Sequence, residues 1–160
     1  MAQASGETAN LAVLYGSSAI YLNQVESPAM VRVSNPIGTL IPLHATAVGK
    51  VFLADFRPEM LEDVIAHAGL TQLTSHTLTN GQSLEDELET VRTQGYAVDN
   101  EEFAEGVRCI AAGLRGSSGA VVAAISLSGP SSRVSQGRTA ELARMVQQAV
   151  EGFAAQIREP

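Results

Sequence analysis

The 160 residues are 45% hydrophobic and carry 17 acidic and 10 basic side chains, a net charge of −7, with one cysteine. These figures fit a single globular domain, and with aromatics at 4% and no Trp its core must rest on Val, Leu, Ile and Ala. They exclude an internal disulfide framework and weigh against a nucleic-acid surface on this stretch, which needs clustered Lys and Arg. No apolar run reaches the ~18 residues of a membrane span and no signal-peptide pattern opens the chain, so a cytoplasmic location with no membrane partner is expected.

Met1 to Glu7 is small and polar. Asn10 to Tyr15 and Ala19 to Val25 are β-prone runs about the Gly16-Ser17-Ser18 turn, which predicts a hairpin. Met30 to Val33 is a candidate third strand, and Asn35-Pro36 with Gly38 marks a loop. Pro42 to Asp55 then reads as helix, with Ala45, Val48, Val51, Phe52 and Leu53 on its apolar side. Gly49 inside it costs about 1 kcal/mol relative to Ala; close approach of a ligand or tight packing of the helix would account for it. Pro58 suits the first turn of a second helix, Glu59 to Ala68, ended by Gly69. A third helix, Ser83 to Gln94, buries Leu84, Leu88 and Val91, with Glu85, Asp86 and Glu87 in its first turn, Arg92 near its end and Gly95 after it. Tyr96 to Val98 reads as a strand leading into the acidic run Asp99, Glu101, Glu102 and Glu105. Val107 to Leu114 and Ala120 to Leu127 flank RGSSG, a hairpin signal. The last helix, Gln136 to Ile157, repeats Leu142, Met145, Val146, Val150, Phe153 and Ile157 at threes and fours. The order β-β-β-α-α-α-β-β-β-α, with hairpins at both ends, predicts an α+β domain: an antiparallel sheet with helices packed around it.

The run VVAAISLSGP, Val121 to Pro130, stands out among these elements. Strand side chains alternate, so Ser126 and Ser128 share one face while Ile125 and Leu127 point the other way. On an edge strand the hydroxyls would meet water. Buried, each needs a partner, and a ligand or a water would serve. Asp99 is a surface carboxylate on one reading; on the other it accepts a hydrogen bond from a ligand or orders the loop after it. Cys109 reads as a buried structural thiol with no catalytic partner near it in sequence. His44, His67 and His76 match no metal spacing. Gly113, Gly116 and Gly119 are turn glycines with no phosphate-binding helix behind them. No Ser sits on a strand-to-helix elbow, so no hydrolase triad is expected.

Three separated motifs, GTLIPLHATAVGKVFLAD, GYAVDNEEFAEGVRCIAAGL and VVAAISLSGPSSRV, resemble the C-terminal effector-binding domain of the IclR-type transcriptional regulators, and the opening GETANLAVLYGSSAIYLNQVES fits the same domain. The resemblance covers nearly the whole chain. It implies a GAF-like fold in which a curved antiparallel sheet cups a small organic acid: glyoxylate or pyruvate in some members, aromatic acids such as 4-hydroxybenzoate in others. It places effector contacts at Ile41, Ala47, Val48, Asp99, Cys109, Ser126 and Ser128. Ala47 is the main departure, since some relatives of the small-acid type have Gly there, and this bears on which acid is bound.

The resemblance further implies a winged helix-turn-helix domain upstream, through which DNA is bound, and assembly as a homodimer or homotetramer. The expected mechanism is sensing without turnover and without a cofactor: the ligand shifts packing and so the spacing of two DNA-binding domains. Two other readings are open. A GAF-like enzyme such as a methionine sulfoxide reductase needs a resolving pair of cysteines, and there is one. A ligand-free oligomerisation module is at odds with the intact set of Asp99, Cys109, Ser126 and Ser128.

Overall fold

A computed structural model describes the backbone of residues 1–158 and the side chains of residues 1–156. A short helix, α1 (Ala2–Ser5), leads into a hairpin of β1 (Thr8–Tyr15) and β2 (Ser18–Val25). An irregular stretch then reaches β3 (Leu40–Pro42) and the helices α2 (Ala47–Ala54), α3 (Pro58–Ala68) and α4 (Gly81–Gln94). Strands β4 (Ala97–Asn100), β5 (Val107–Arg115) and β6 (Val121–Pro130) follow. A 3-10 turn at Gln136–Arg138 opens the last helix, α5 (Thr139–Arg158). The strands form one curled antiparallel sheet in the order β3-β2-β1-β6-β5-β4. The expected hairpins are both present, and β1 against β6 joins them at the centre of the sheet.

Helices cover both faces. On one, Ala12, Tyr21, Ala111 and Ala124 of the sheet pack with Val51, Phe52 and Leu53 of α2 and Leu84, Leu88 and Val91 of α4. On the other, Ala9, Ile110 and Leu127 pack against Leu142, Ala143 and Val146 of α5. Full burial of each large aliphatic side chain contributes about 1.5–3 kcal/mol, so these two clusters hold the layers together. Strand β6 is buried from Ala123 to Gly129, which identifies it as a central strand. Ser126 and Ser128 therefore cannot be edge hydroxyls.

Three assignments made from the sequence are corrected. Met30 to Val33 forms no strand; Met30 is 95% exposed and Val31 68%, and the edge position beside β2 is taken by Leu40–Pro42 instead. A four-residue segment with no pairing partner, and with Arg32 in its middle paired to Glu26, has nothing to bury against. The helix expected from Pro42 starts at Ala47, because Pro42 pairs with Ser18 and Leu43 to Thr46 turn beneath the new helix. The α4 start also moves. Asn80 caps it, its side chain accepting from the Gln82 and Ser83 N–H groups, so Glu85, Asp86 and Glu87 lie past the first turn. In α5, Leu142 and Val146 are buried and Phe153 is 48% exposed, while the Ile157 side chain lies outside the described residues. Among the described residues no helix is long and apolar enough to cross a membrane.

Candidate functional site

Two rows of side chains cross the sheet on the face covered by α2. Asp99, Cys109, Ser128 and Thr8 are successive register partners across β4, β5, β6 and β1. Ala111, Ser126, Asn10 and Gln24 form the row beside them. Asn10 ties the rows together: its Nδ2 donates to Ser126 Oγ at 3.2 Å and to Ser128 Oγ at 3.1 Å, while its Oδ1 accepts from Gln24 Nε2 at 2.8 Å. Each serine oxygen thus serves as acceptor, which leaves each hydroxyl proton to be donated elsewhere.

Where these rows meet the start of α2 lies a cavity of about 90 Å³, lined by Tyr21, Ala47, Val48, Asp99, Cys109 and Ser126 among others. Tyr21 reaches it through a β-bulge. The β1–β2 register slips between Leu11 and Ala12, so that Tyr21 faces Ala12 and Leu22 is left over. Without the extra residue, strict alternation would turn Leu22 inward and Tyr21 out to solvent. Asp99 is 1% exposed. Its Oδ1 accepts from the N–H of Glu102 at 2.8 Å and of Phe103 at 3.3 Å, which folds the loop after β4 over the cavity. Its Oδ2 is buried with no hydrogen-bond partner among the described residues. Burial, with a smaller push from the Glu102 charge, raises the Asp99 carboxyl to about 7. Burial also lifts the Cys109 thiol well above its usual range, with the Asp99 charge adding to it, and the Tyr21 phenol is raised for the same main reason.

The opposite wall is the start of α2. Thr46 caps it: Oγ1 accepts from Gly49 N–H at 3.1 Å and donates to Pro42 O at 2.7 Å. The first-turn N–H groups of Ala47 and Val48 have no intrahelical acceptor, and both residues line the cavity. A Cβ on Gly49 would overlap the Leu43 backbone, so this glycine serves the tight turn beneath the helix rather than a ligand. Behind the wall, Lys50 is fully buried with Nζ 2.8 Å from Glu87 and 2.7 Å from Glu102.

A sequence profile described as "Bacterial transcriptional regulator IclR C-terminal" matches residues 1–155. The chain belongs to the IclR family. The HTH-type transcriptional repressor AllR of Escherichia coli (strain K12) is 44% identical over 134 residues, 84% of this chain and 49% of AllR. AllR of Salmonella typhimurium is 42% identical over the same length. The chain spans about half the length of the curated relatives it matches. Among solved structures, the C-terminal domain of the E. coli transcriptional regulator KdgR superposes with a TM-score of 0.85 at 34% identity, covering 96% of this chain and 89% of that one. Thermotoga maritima IclR gives 0.89 at 30% identity, covering 98% of this chain and 63% of that one. The domain is the ligand-sensing, effector-binding part of an IclR-family regulator, and the family is regulatory rather than catalytic.

In this IclR domain, five of the seven residues implied by the resemblance line one cavity: Ala47, Val48, Asp99, Cys109 and Ser126. Ser128 is one register row along, joined through Asn10. Ile41 lies apart: it is buried in β3 and lines a different cavity of about 210 Å³, between that strand and α3. Arg108, on the opposite face from Cys109 as alternation requires, donates from Nη1 to Val134 O at 2.6 Å. Tyr21, Asn10 and Lys50 escaped sequence reasoning. Asn10 shares a phase with the serines only once the β1–β6 register is known, Tyr21 depends on the bulge, and a lysine inside an apolar helix reads as a solvent-facing charge.

Proposed function

We propose that the effector of this domain is a small carboxylic acid bearing a neighbouring carbonyl or hydroxyl oxygen, a 2-oxo acid in preference to an aromatic acid, held in the Asp99 cavity. The unpartnered Oδ2 of Asp99, a residue that lines that cavity, carries the reading, because a buried polar atom calls for a partner. Size supports it. About 90 Å³ is far below the ~300–1,000 Å³ of drug-sized ligand sites and suits a molecule of few heavy atoms. The chemistry is complementary as well. The Ala47 and Val48 N–H groups at a helix N-terminus suit a carboxylate, and the hydroxyl of Ser126, which lines the cavity, is placed to donate to its oxygens or to the carbonyl, with Ser128 one row behind on the same Asn10.

An ionised Asp99 would repel such an anion. With its carboxyl raised to about 7, Asp99 is able to hold a proton near neutrality and donate it to the ligand's second oxygen. The raised thiol of Cys109 acts as a compact wall. In the full protein the effector would bias the packing of a homodimer or homotetramer in the cytoplasm. It would thereby alter the grip on DNA of an upstream domain, by no more than its differential affinity for the two states.

Thermal-shift measurements with glyoxylate, pyruvate, 4-hydroxybenzoate and protocatechuate test the reading. At a ligand concentration about 100 times Kd the folded state gains roughly 2.7 kcal/mol, a readily measured rise in Tm. A rise with the short 2-oxo acids and none with the aromatic acids is expected. The reverse pattern would transfer the effector to the aromatic class, and no rise with any acid would sink the proposal.

A further inference from the structure

Lys50 is a puzzle as a core residue. It sits inside α2, seven of whose eight residues are buried, and is itself 0% exposed between two carboxylates. A buried ion pair gains little net stability, because desolvating the charges cancels most of their attraction, and an apolar side chain of similar size would serve the core as well. Its placement points elsewhere. Lys50 lies one turn beyond Ala47 on the helix that forms one cavity wall. Its partner Glu102 lies in the loop that carries Phe103 and Ala104 into the opposite wall. The Glu102 N–H donates to Asp99 Oδ1, and its Oε1 also accepts from Asn100 N–H at 3.2 Å. The Glu102 carbonyl accepts from Thr77 Oγ1 at 2.7 Å, so the loop is pinned from beneath as well.

We propose that Lys50 is a positioning residue of the effector cavity: its ammonium fastens α2 to the loop after β4 through Glu102, and sets the charge that the Asp99–Glu102 pair presents to a ligand. This rests on the reading of the Asp99 cavity as the effector site. The groups facing Asp99 are Glu102 from its own loop, Cys109 from β5, Tyr21 from β2 and Lys50 from α2, with Glu87 of α4 behind Lys50. Lys50 is the one cation among them and favours the ionised form of Asp99, whereas Glu102 opposes it.

Side-chain carboxyl titrations by 13C NMR, followed in wild type, Lys50→Met and Glu102→Gln, separate this role from mere packing. In Lys50→Met the Asp99 carboxyl should keep its proton to higher pH, by roughly a few tenths of a pH unit. In Glu102→Gln the amide still accepts from Lys50, and Asp99 should titrate lower than in wild type. Opposite shifts are the signature of a charge-setting joint, and a purely structural residue would not produce them. If both folded variants titrate like wild type, the proposal is wrong. Where Lys50→Met does not fold, Glu102→Gln decides alone, and an unmoved Asp99 overturns the idea. In parallel, pyruvate affinity by calorimetry at about pH 5, where Asp99 is protonated in both proteins, reports the fastening of α2 to the loop alone; it should fall roughly tenfold in Lys50→Met as the cavity walls lose their preorganisation, and an unchanged affinity counts against the proposal. Absence of binding in wild type to any acid would instead remove the effector reading, while the titrations still judge the joint.

Discussion

Asp99 has a measurable consequence for stability. Its carboxyl moves from 3.8 to about 7 on folding, so between those values the folded chain holds more proton than the unfolded one. Stability from this group is therefore greatest below the lower value and is lost as pH rises through about 7. The full span corresponds to roughly 4 kcal/mol. Asp99→Asn keeps an oxygen for the Glu102 and Phe103 N–H groups but removes the charge. Across about pH 4 to pH 8, Tm of the variant should gain steadily on wild type, and parallel curves would show that Asp99 titrates like a surface carboxylate. The same protonation governs binding: affinity for an anionic acid should decline as pH climbs past neutrality. Replacing Ser126 and Ser128 together with Ala removes both hydroxyl donors and leaves two Asn10 Nδ2 bonds unmade. Stabilisation by pyruvate should vanish in that variant, and its survival would clear the serines of any role in binding.

At the level of elements, α2 matters most because it is short, buried and fixed at both ends. Thr46 caps its start, while at its end Asp55 accepts from Val121 N–H and pairs with Arg115, tying the helix to the turn end of the β5–β6 hairpin. Gly49→Ala should lower unfolding free energy by about 1–3 kcal/mol, because the methyl meets Leu43 backbone that cannot rotate aside. Thr46→Ala should cost about 1 kcal/mol by loss of the cap. Urea denaturation measures both, and a neutral Gly49→Ala would mean that the turn beneath α2 is looser than its packing implies. The helix start was hard to place from sequence, because Pro42 suits a first turn as well as an edge strand. Only pairing with Ser18 settles the matter.

Across the whole molecule, the N-terminal segment is held by the far end of the chain. Glu7, 1% exposed, takes two hydrogen bonds from the Arg133 guanidinium at 2.8 and 2.9 Å, and Arg138 reaches Ser5 O at 3.3 Å. Arg133 lies in the turn just past Pro130, the last residue of β6, the strand that bears the two serines, so α1 and the cavity strand share an anchor. Arg133→Ala should speed amide exchange across Ala2–Ser5 by roughly tenfold or more, in line with loss of a charge-assisted pair. Exchange in β5 should stay as it was. Equal protection in variant and wild type would show that backbone pairing of β1 with β6 holds the segment unaided.

Much of this protein was legible before any coordinates. Alternation put Ser126 and Ser128 on one face, glycine- and serine-bearing turns marked both hairpins, and the threes and fours of Leu84, Leu88 and Val91 marked α4. These are local signals, set by backbone periodicity within a few residues. The cavity was not local. Asp99 became a proton-holding group by burial under its own loop. Tyr21 entered through a one-residue bulge, Asn10 through strand register, Lys50 through a helix start five residues later than expected, and Ile41 moved to another cavity with the edge strand. Each depends on which distant segment packs on which, since burial and register are properties of the assembled layers and no short stretch of sequence contains them.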